Sequence, residues 1–246
     1  MKPMIRLSKT LSTLTRLAVN SAVTPLRQLD RCVLCLAPAP AQGLCLPCLN
    51  ELPHNHRPCR RCAIPLPPTR TRLCQRCQSD SPPQDLCLAP WLYRYPVNHM
   101  IAGFKYNNAR QYGRALSQAW LGETEGLIQR LPDALIPCPS SPERLRERGF
   151  NQSAEIAQAL SRTLNIPLRP DLLSRCKGSP AQASLDRAER LKNLTDTFQV
   201  KDTPMPDHVA LIDDVITTGA TMHAMAHSLR QNGARRIDVW ALARTP

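Results

Sequence analysis

The sequence has 246 residues, room for one ordinary domain plus a small module or for two modest domains, and a sizeable core is within its reach. Its 32 Lys or Arg outnumber 19 Asp or Glu, and the excess sits early: twelve basic against four acidic residues in 1–90, twenty against fifteen in 91–246. Such charge suits nucleic acid, anionic lipid or phosphorylated ligands, the bland alternative being a soluble basic protein, while the absence of any apolar run near roughly 18 residues and of a secretory signal excludes a transmembrane or exported class and predicts a cytoplasmic protein.

Residues 1–29 contain no acid, and Leu7, Leu11, Leu14 and Leu17 recur at helical spacing beside Lys2, Arg6, Lys9 and Arg16. Two readings stand: a basic amphipathic helix that contacts a membrane surface or nucleic acid, or a frayed extension. Interruption by Ser and Thr favours the extension.

Residues 30–85 are a cysteine module. Eleven cysteines in a chain without an export signal indicate metal rather than disulfides, because the cytosol keeps thiols reduced. Eight of them form four C-x-x-C pairs: Cys32 and Cys35, Cys45 and Cys48, Cys59 and Cys62, Cys74 and Cys77. Two intervening residues let a tight turn present both sulfurs to one ion, and two turns complete a tetrahedral shell. Sequential pairing closes each site through a short loop at low entropic cost, giving one site from Cys32, Cys35, Cys45 and Cys48 and another from Cys59, Cys62, Cys74 and Cys77. Two structural zinc ions are expected, with iron as the alternative; a redox C-x-x-C does not come four at a time. The segment is rich in Pro and Arg and poor in apolar residues, so metal must hold it together. Each four-thiolate zinc site removes two positive charges, so the formal +13 overstates the real charge. His54 and His56 read as surface residues, and the lone Cys87, Cys138 and Cys176 as small buried hydrophobes.

From residue 86 to 246 the chain alternates strand and helix. CLAPWLYRY reads as a strand, HMIAGFKY and RQYGRALSQAWLG as helices, and DALIPCP as a strand ending in prolines. In GFNQSAEIAQALSRTLN, Ile156, Leu160 and Leu164 make one apolar stripe. VALIDDV is a buried strand, TMHAMAHSLRQNG a helix closed by Gly233, and RIDVWAL a further strand. Strand, helix, strand at this spacing implies right-handed crossovers and a parallel sheet.

Ligands of open parallel sheets bind beyond the carboxyl ends of the strands, where Asp213 and Asp214 stand. In Thr217, Thr218, Gly219, Ala220 and Thr221, small residues let backbone N–H groups approach an anion, hydroxyls add donors, and the next helix offers its positive end. Carboxylates beside a phosphate cradle fit neighbouring hydroxyls on the same ligand, as in a ribose 5-phosphate. An ordinary strand end with an N-cap and a turn is the competing reading, outweighed by the whole stretch in order. His223 and His227 lack a third ligand and read as plain helix residues.

The stretch VALIDDVITTGAT resembles the phosphoribosyl pyrophosphate motif of type I phosphoribosyltransferases. With the four C-x-x-C pairs ahead of it, the chain resembles the ComF family (ComFC, GntX), as do FKY at 104–106, RERGFNQS at 146–153 and QASLDRAERLKNLTDTF at 182–198. The resemblance implies an α/β class: a type I phosphoribosyltransferase-like fold with a mostly parallel central sheet, preceded by a double zinc-ribbon module. It also implies that Asp213 and Asp214 hold ribose hydroxyls, that Thr217 to Thr221 hold the 5-phosphate, and that the loop 137–141 binds pyrophosphate with magnesium, which needs few protein ligands of its own. Lys105, Arg144 and Arg148 are the expected phosphate partners, against a solvated basic loop as the competing reading for 144–148. Arg187, Arg190 and Lys192 form either a loop that closes over the ligand or a charged helix face. Family association with natural competence implies single-stranded DNA and competence proteins as partners; the alternative is a glycosyltransferase of nucleotide or base metabolism with an unknown acceptor.

Overall fold

The structure is a computed structural model that describes residues 31–39, 43–68, 71–176 and 197–246. The readings for residues 1–29 and for Arg187, Arg190 and Lys192 lie outside the described residues.

The centre of the fold is a pair of nine-residue parallel strands, β6 (His208–Ile216) and β7 (Arg236–Arg244), paired from His208 with Arg236 to Ile216 with Arg244. Their near-continuous apolar runs reflect burial on both faces, which parallel sheets require. β3 (Ala134–Pro137) pairs with β6 on one side. On the other side β7 receives β1 (Leu86–Leu88) and β2 (Trp91–Leu92), every pair in this sheet being parallel. The strand expected from CLAPWLYRY is thus two short pieces parted at Ala89 and Pro90, since proline has no N–H to give a ladder. The outer edge is covered by the cysteine segment: Cys87 N–H donates to the Arg60 carbonyl (2.8 Å) and Leu92 N–H to that of Pro53 (2.7 Å). A separate antiparallel pair joins β4 (Leu173–Arg175) to β5 (Phe198–Val200).

Alternate residues of the strands face two cores. Leu135, Ala210, Ile212, Trp240 and Leu242 pack with α3 (Val97–Tyr106), α4 (Arg110–Glu123) and α6 (Gln152–Leu164). Ile136, Val209, Leu211, Val239 and Ala241 pack with α7 (Ala220–Gln231) and the β4–β5 pair. The class is therefore α/β with a mostly parallel central sheet and a cysteine-rich segment in front, as the sequence predicts. That segment holds two short helices, α1 (Leu46–Asn50) and α2 (Gln75–Ser79), and it lends Cys32, Ala39, Leu44 and Leu52 to the first core and Ala63 to the second.

Two local features place the site. Gly113 in α4 lies against the ring of Phe104 in α3, where a Cβ would come within 2.7 Å; this close approach seats α3, and Lys105 with it, against α4. The stretch 142–148, weighed above as a solvated basic loop, is a helix, α5 (Pro142–Arg148). Ser141 caps it by accepting the Arg144 N–H, Pro142 opens it, and Gly149 closes it at φ +75°, the proline-first, glycine-last grammar of helix ends.

Candidate functional site

Asp213 and Asp214 stand in the last turns of β6, which runs on to Ile216. The carboxylate of Asp213 accepts from the hydroxyl of Ser153 (2.8 Å) and from the N–H of Asp214 (2.9 Å). Asp214 is buried and its Oδ2 meets Lys105 Nζ at 2.7 Å. Burial and then the neighbouring Asp214 charge push the Asp213 carboxyl up to about 7; Ser153, the Asp214 N–H and Lys105 pull only partly back. Two acids side by side are thus held by one hydroxyl and one ammonium from helices α6 and α3.

Beyond β6, Thr217 and Thr218 are exposed and Gly219 takes φ +80°, a conformation glycine adopts without Cβ strain. Gly219 supplies no side-chain cap to α7, whose first N–H groups and positive end face the loop; Thr218 Oγ1 accepts the Ala220 N–H at 3.3 Å. The loop is pinned from beneath by Arg244, a buried residue at the end of β7. Its guanidinium donates to the carbonyls of Ile216, Thr217 and Thr245, and through Nε to the carbonyl of Cys62 (3.0 Å).

The loop after β3 is tied to the same place, since Asn151 Nδ2 donates to the Cys138 carbonyl (3.0 Å) while its Oδ1 caps α6. Burial drives the Cys138 thiol upward, as do the charges of Asp213 and Asp214, with Arg175 and Arg144 opposing. Arg148 stacks over the Tyr106 ring, 5.0 Å from its centroid, and donates to Gln152 Oε1 at 3.2 Å. Lys105, Asp213 and Asp214 are therefore in direct contact, Arg144 is exposed on α5, and Arg148 leans on Tyr106 at the end of α3.

The eight C-x-x-C cysteines gather as two groups of four, paired in sequence order, with all four sulfurs of each group within 4.8 Å of one another. Sulfurs at 3.5 Å (Cys35 and Cys45) and 3.7 Å (Cys62 and Cys74) approach the separation of about 3.8 Å that a tetrahedron of zinc–sulfur bonds requires. Burial opposes ionisation of Cys32, yet the N–H groups of Cys45, Cys35 and Leu34 bring its thiol down to about 6. At Cys59 the hydrogen bond with Cys62 leads the descent to about 4, against burial. Such closed shells leave no position for a substrate. His54 and His56 are in neither group. Cys87 is buried as expected, but Cys138 is only half-buried and Cys176 is exposed, because the latter follows a short edge strand rather than lying inside the sheet.

No family model matches the chain. It is 32% identical over 223 residues to DNA utilization protein YhgH of Escherichia coli (strain K12), which covers 87% of this chain and 96% of that one. Competence protein F of Haemophilus influenzae is 33% identical over 209 residues, 82% of this chain and 90% of its own. The chain belongs to the ComF family. Competence protein ComFC of Streptococcus pneumoniae shares 33% over 109 residues, 44% of this ComF chain.

Three residues of this ComF protein escaped the reading by motif. Ser153 and Asn151 lie in RERGFNQS, which carried the family likeness without a role for either side chain. Arg244 carried no signal at all, because its partners other than Thr245 lie 27, 28 and 182 residues away. Among the described residues no helix is long and apolar enough to cross a membrane.

Proposed function

We propose that this ComF protein binds phosphoribosyl pyrophosphate with magnesium at the carboxyl end of β6 and serves the handling of incoming single-stranded DNA, residues 86–246 forming the ligand domain and 30–85 a module held by two structural zinc ions. One observation carries the ligand assignment: a carboxylate pair oriented by Ser153 and Lys105 runs directly into a loop with a left-handed Gly219 and a helix start without a side-chain cap. In this reading Asp213 and Asp214 accept hydrogen bonds from the ribose hydroxyls. The N–H groups and hydroxyls of residues 217–221 receive the 5-phosphate. Lys105, Arg144 and Arg148 balance the pyrophosphate, the two arginines by forked contacts. The DNA role is supported by relatives named for DNA utilization and for competence.

Turnover is the second reading, favoured by Asp213: a carboxyl near 7 beside the sugar can take a proton from an incoming acceptor. Titration calorimetry with phosphoribosyl pyrophosphate and magnesium tests the site. Binding is expected in the native chain and is expected to weaken at least about a hundredfold, roughly 2.7 kcal/mol, in Asp213→Ala plus Asp214→Ala. Tight binding that survives both changes overturns the assignment. Pyrophosphate release with a panel of bases decides turnover.

A further inference from the structure

Away from the acid pair, a cleft of about 880 Å³ lies between the second cysteine group, the edge strand β1 and the end of α4. It reaches Arg236 at the amino end of β7, whereas the sugar and phosphate loop lies at the carboxyl end of β6. None of Lys105, the loop 137–141 or residues 213–221 lines it. Among the described residues its basic lining is Arg57, Arg60, Arg72 and Arg236 with His54 and His56, and its one carboxylate is Glu123.

The charges divide into spent and unspent. Arg236 makes two contacts with Asp238 (3.1 and 3.2 Å), and His54 Nδ1 meets Glu123 at 3.2 Å. Arg57, Arg60 and Arg72 are exposed and have no side-chain hydrogen bond or ion pair among the described residues. Their backbones are nevertheless fixed: Arg60 N–H donates to the Arg72 carbonyl, the Arg60 carbonyl accepts from Cys87, and the Arg57 carbonyl accepts from Leu66, all at 2.8 Å. Three like charges are thereby held around one recess whose described lining sets only Glu123 against them, which raises the local potential for an anion.

We infer that this cleft takes the phosphate backbone of single-stranded DNA, with Arg57, Arg60 and Arg72 each facing a phosphate. This rests on the DNA role proposed above and is independent of the sugar and phosphate site. Among the described residues the lining holds no Phe, Tyr or Trp, so the cleft contacts phosphate without regard to sequence. Among the described residues no helix start lines it; its charge comes from long side chains, which suit a polymer. Glu123 opposes the ligand; its Oε2 lies 3.2 Å from His54 Nδ1.

Fluorescence anisotropy of a labelled 20-nucleotide oligo(dT) against salt tests the inference on the full chain. Arg57→Gln, Arg60→Gln and Arg72→Gln together are expected to weaken binding at least tenfold at low salt and to flatten the salt slope by roughly 2, three single-strand phosphates at about 0.7 each. Glu123→Gln should tighten binding several-fold, a gain that misfolding does not mimic. Asp213→Ala plus Asp214→Ala should leave oligonucleotide binding intact, so that failure of the sugar and phosphate site is told apart from failure of the cleft. An unchanged slope in the triple variant overturns the assignment, as does weaker or unaltered binding in Glu123→Gln. Displacement of the oligonucleotide by free pyrophosphate would identify a small-ligand site and overturn it likewise.

Discussion

Asp213 is a carboxyl held where its charge is costly, and that cost is measurable apart from any ligand. Its folded-state pKa of about 7 exceeds the value near 3.9 of a free aspartate, so the folded chain keeps a proton that the unfolded chain has already lost. Stability attributable to this residue is therefore present at low pH and is lost as pH rises from near 4 to near 7. Asn at this position retains the oxygen that accepts from Ser153 and from the Asp214 N–H and drops the charge. Asp213→Asn is predicted to be more stable than the native chain at pH 8, by roughly 1–3 kcal/mol, with the difference vanishing below about pH 4. Thermal melts across that range check it. The same variant is expected to lose affinity for the ribose-bearing ligand, the trade expected of a strained site.

At the scale of elements, one side chain joins the end of β7, the loop before α7 and a knuckle of the second cysteine group. Arg244 serves carbonyls from all three; with it gone those of Cys62 and Thr217 would lose a donor, whereas that of Ile216 keeps the Thr245 N–H at 3.0 Å. Arg244→Met is predicted to cost about 2–4 kcal/mol in stability and to weaken the phosphate-loop ligand, with Lys at this position restoring part of both; denaturant melts and calorimetry read the two effects. This strap also shows where sequence reading stops. β6, α6 and α7 were legible because periodicity reports which face of an element is buried. The four cysteine pairs were legible because their partners are near in sequence. The α5 helix was legible in principle from Ser141, Pro142 and Gly149, but its exposed, charged surface carries no apolar stripe to announce it. The contacts of Ser153 with Asp213 and of Arg244 with Cys62 span 60 and 182 residues, and no local pattern encodes a partner at that distance.

For the molecule as a whole, the two cysteine groups are unequal neighbours of the proposed ligand site. The first gives Cys32 to the core shared with α3 and α4, and none of its contacts described above reaches the loop 217–221. The second contains Cys62, whose carbonyl holds Arg244, and Cys59, whose sulfur accepts the Cys74 N–H at 3.3 Å. Loss of metal from either group should lower stability, because burial alone holds little of segment 30–85. Only loss from the second should slacken the strap that fixes the carbonyls of Ile216 and Thr217. Cys32→Ser and Cys59→Ser are both predicted to lose one metal ion per chain, read by elemental analysis, and to melt earlier than the native chain. Cys59→Ser should in addition weaken phosphoribosyl pyrophosphate binding about tenfold or more, roughly 1.4 kcal/mol, while Cys32→Ser changes it little at temperatures where both remain folded. Equal losses of affinity in the two variants would show that the metal groups act through global stability alone, and that Arg244 does not carry the state of the second group to the loop.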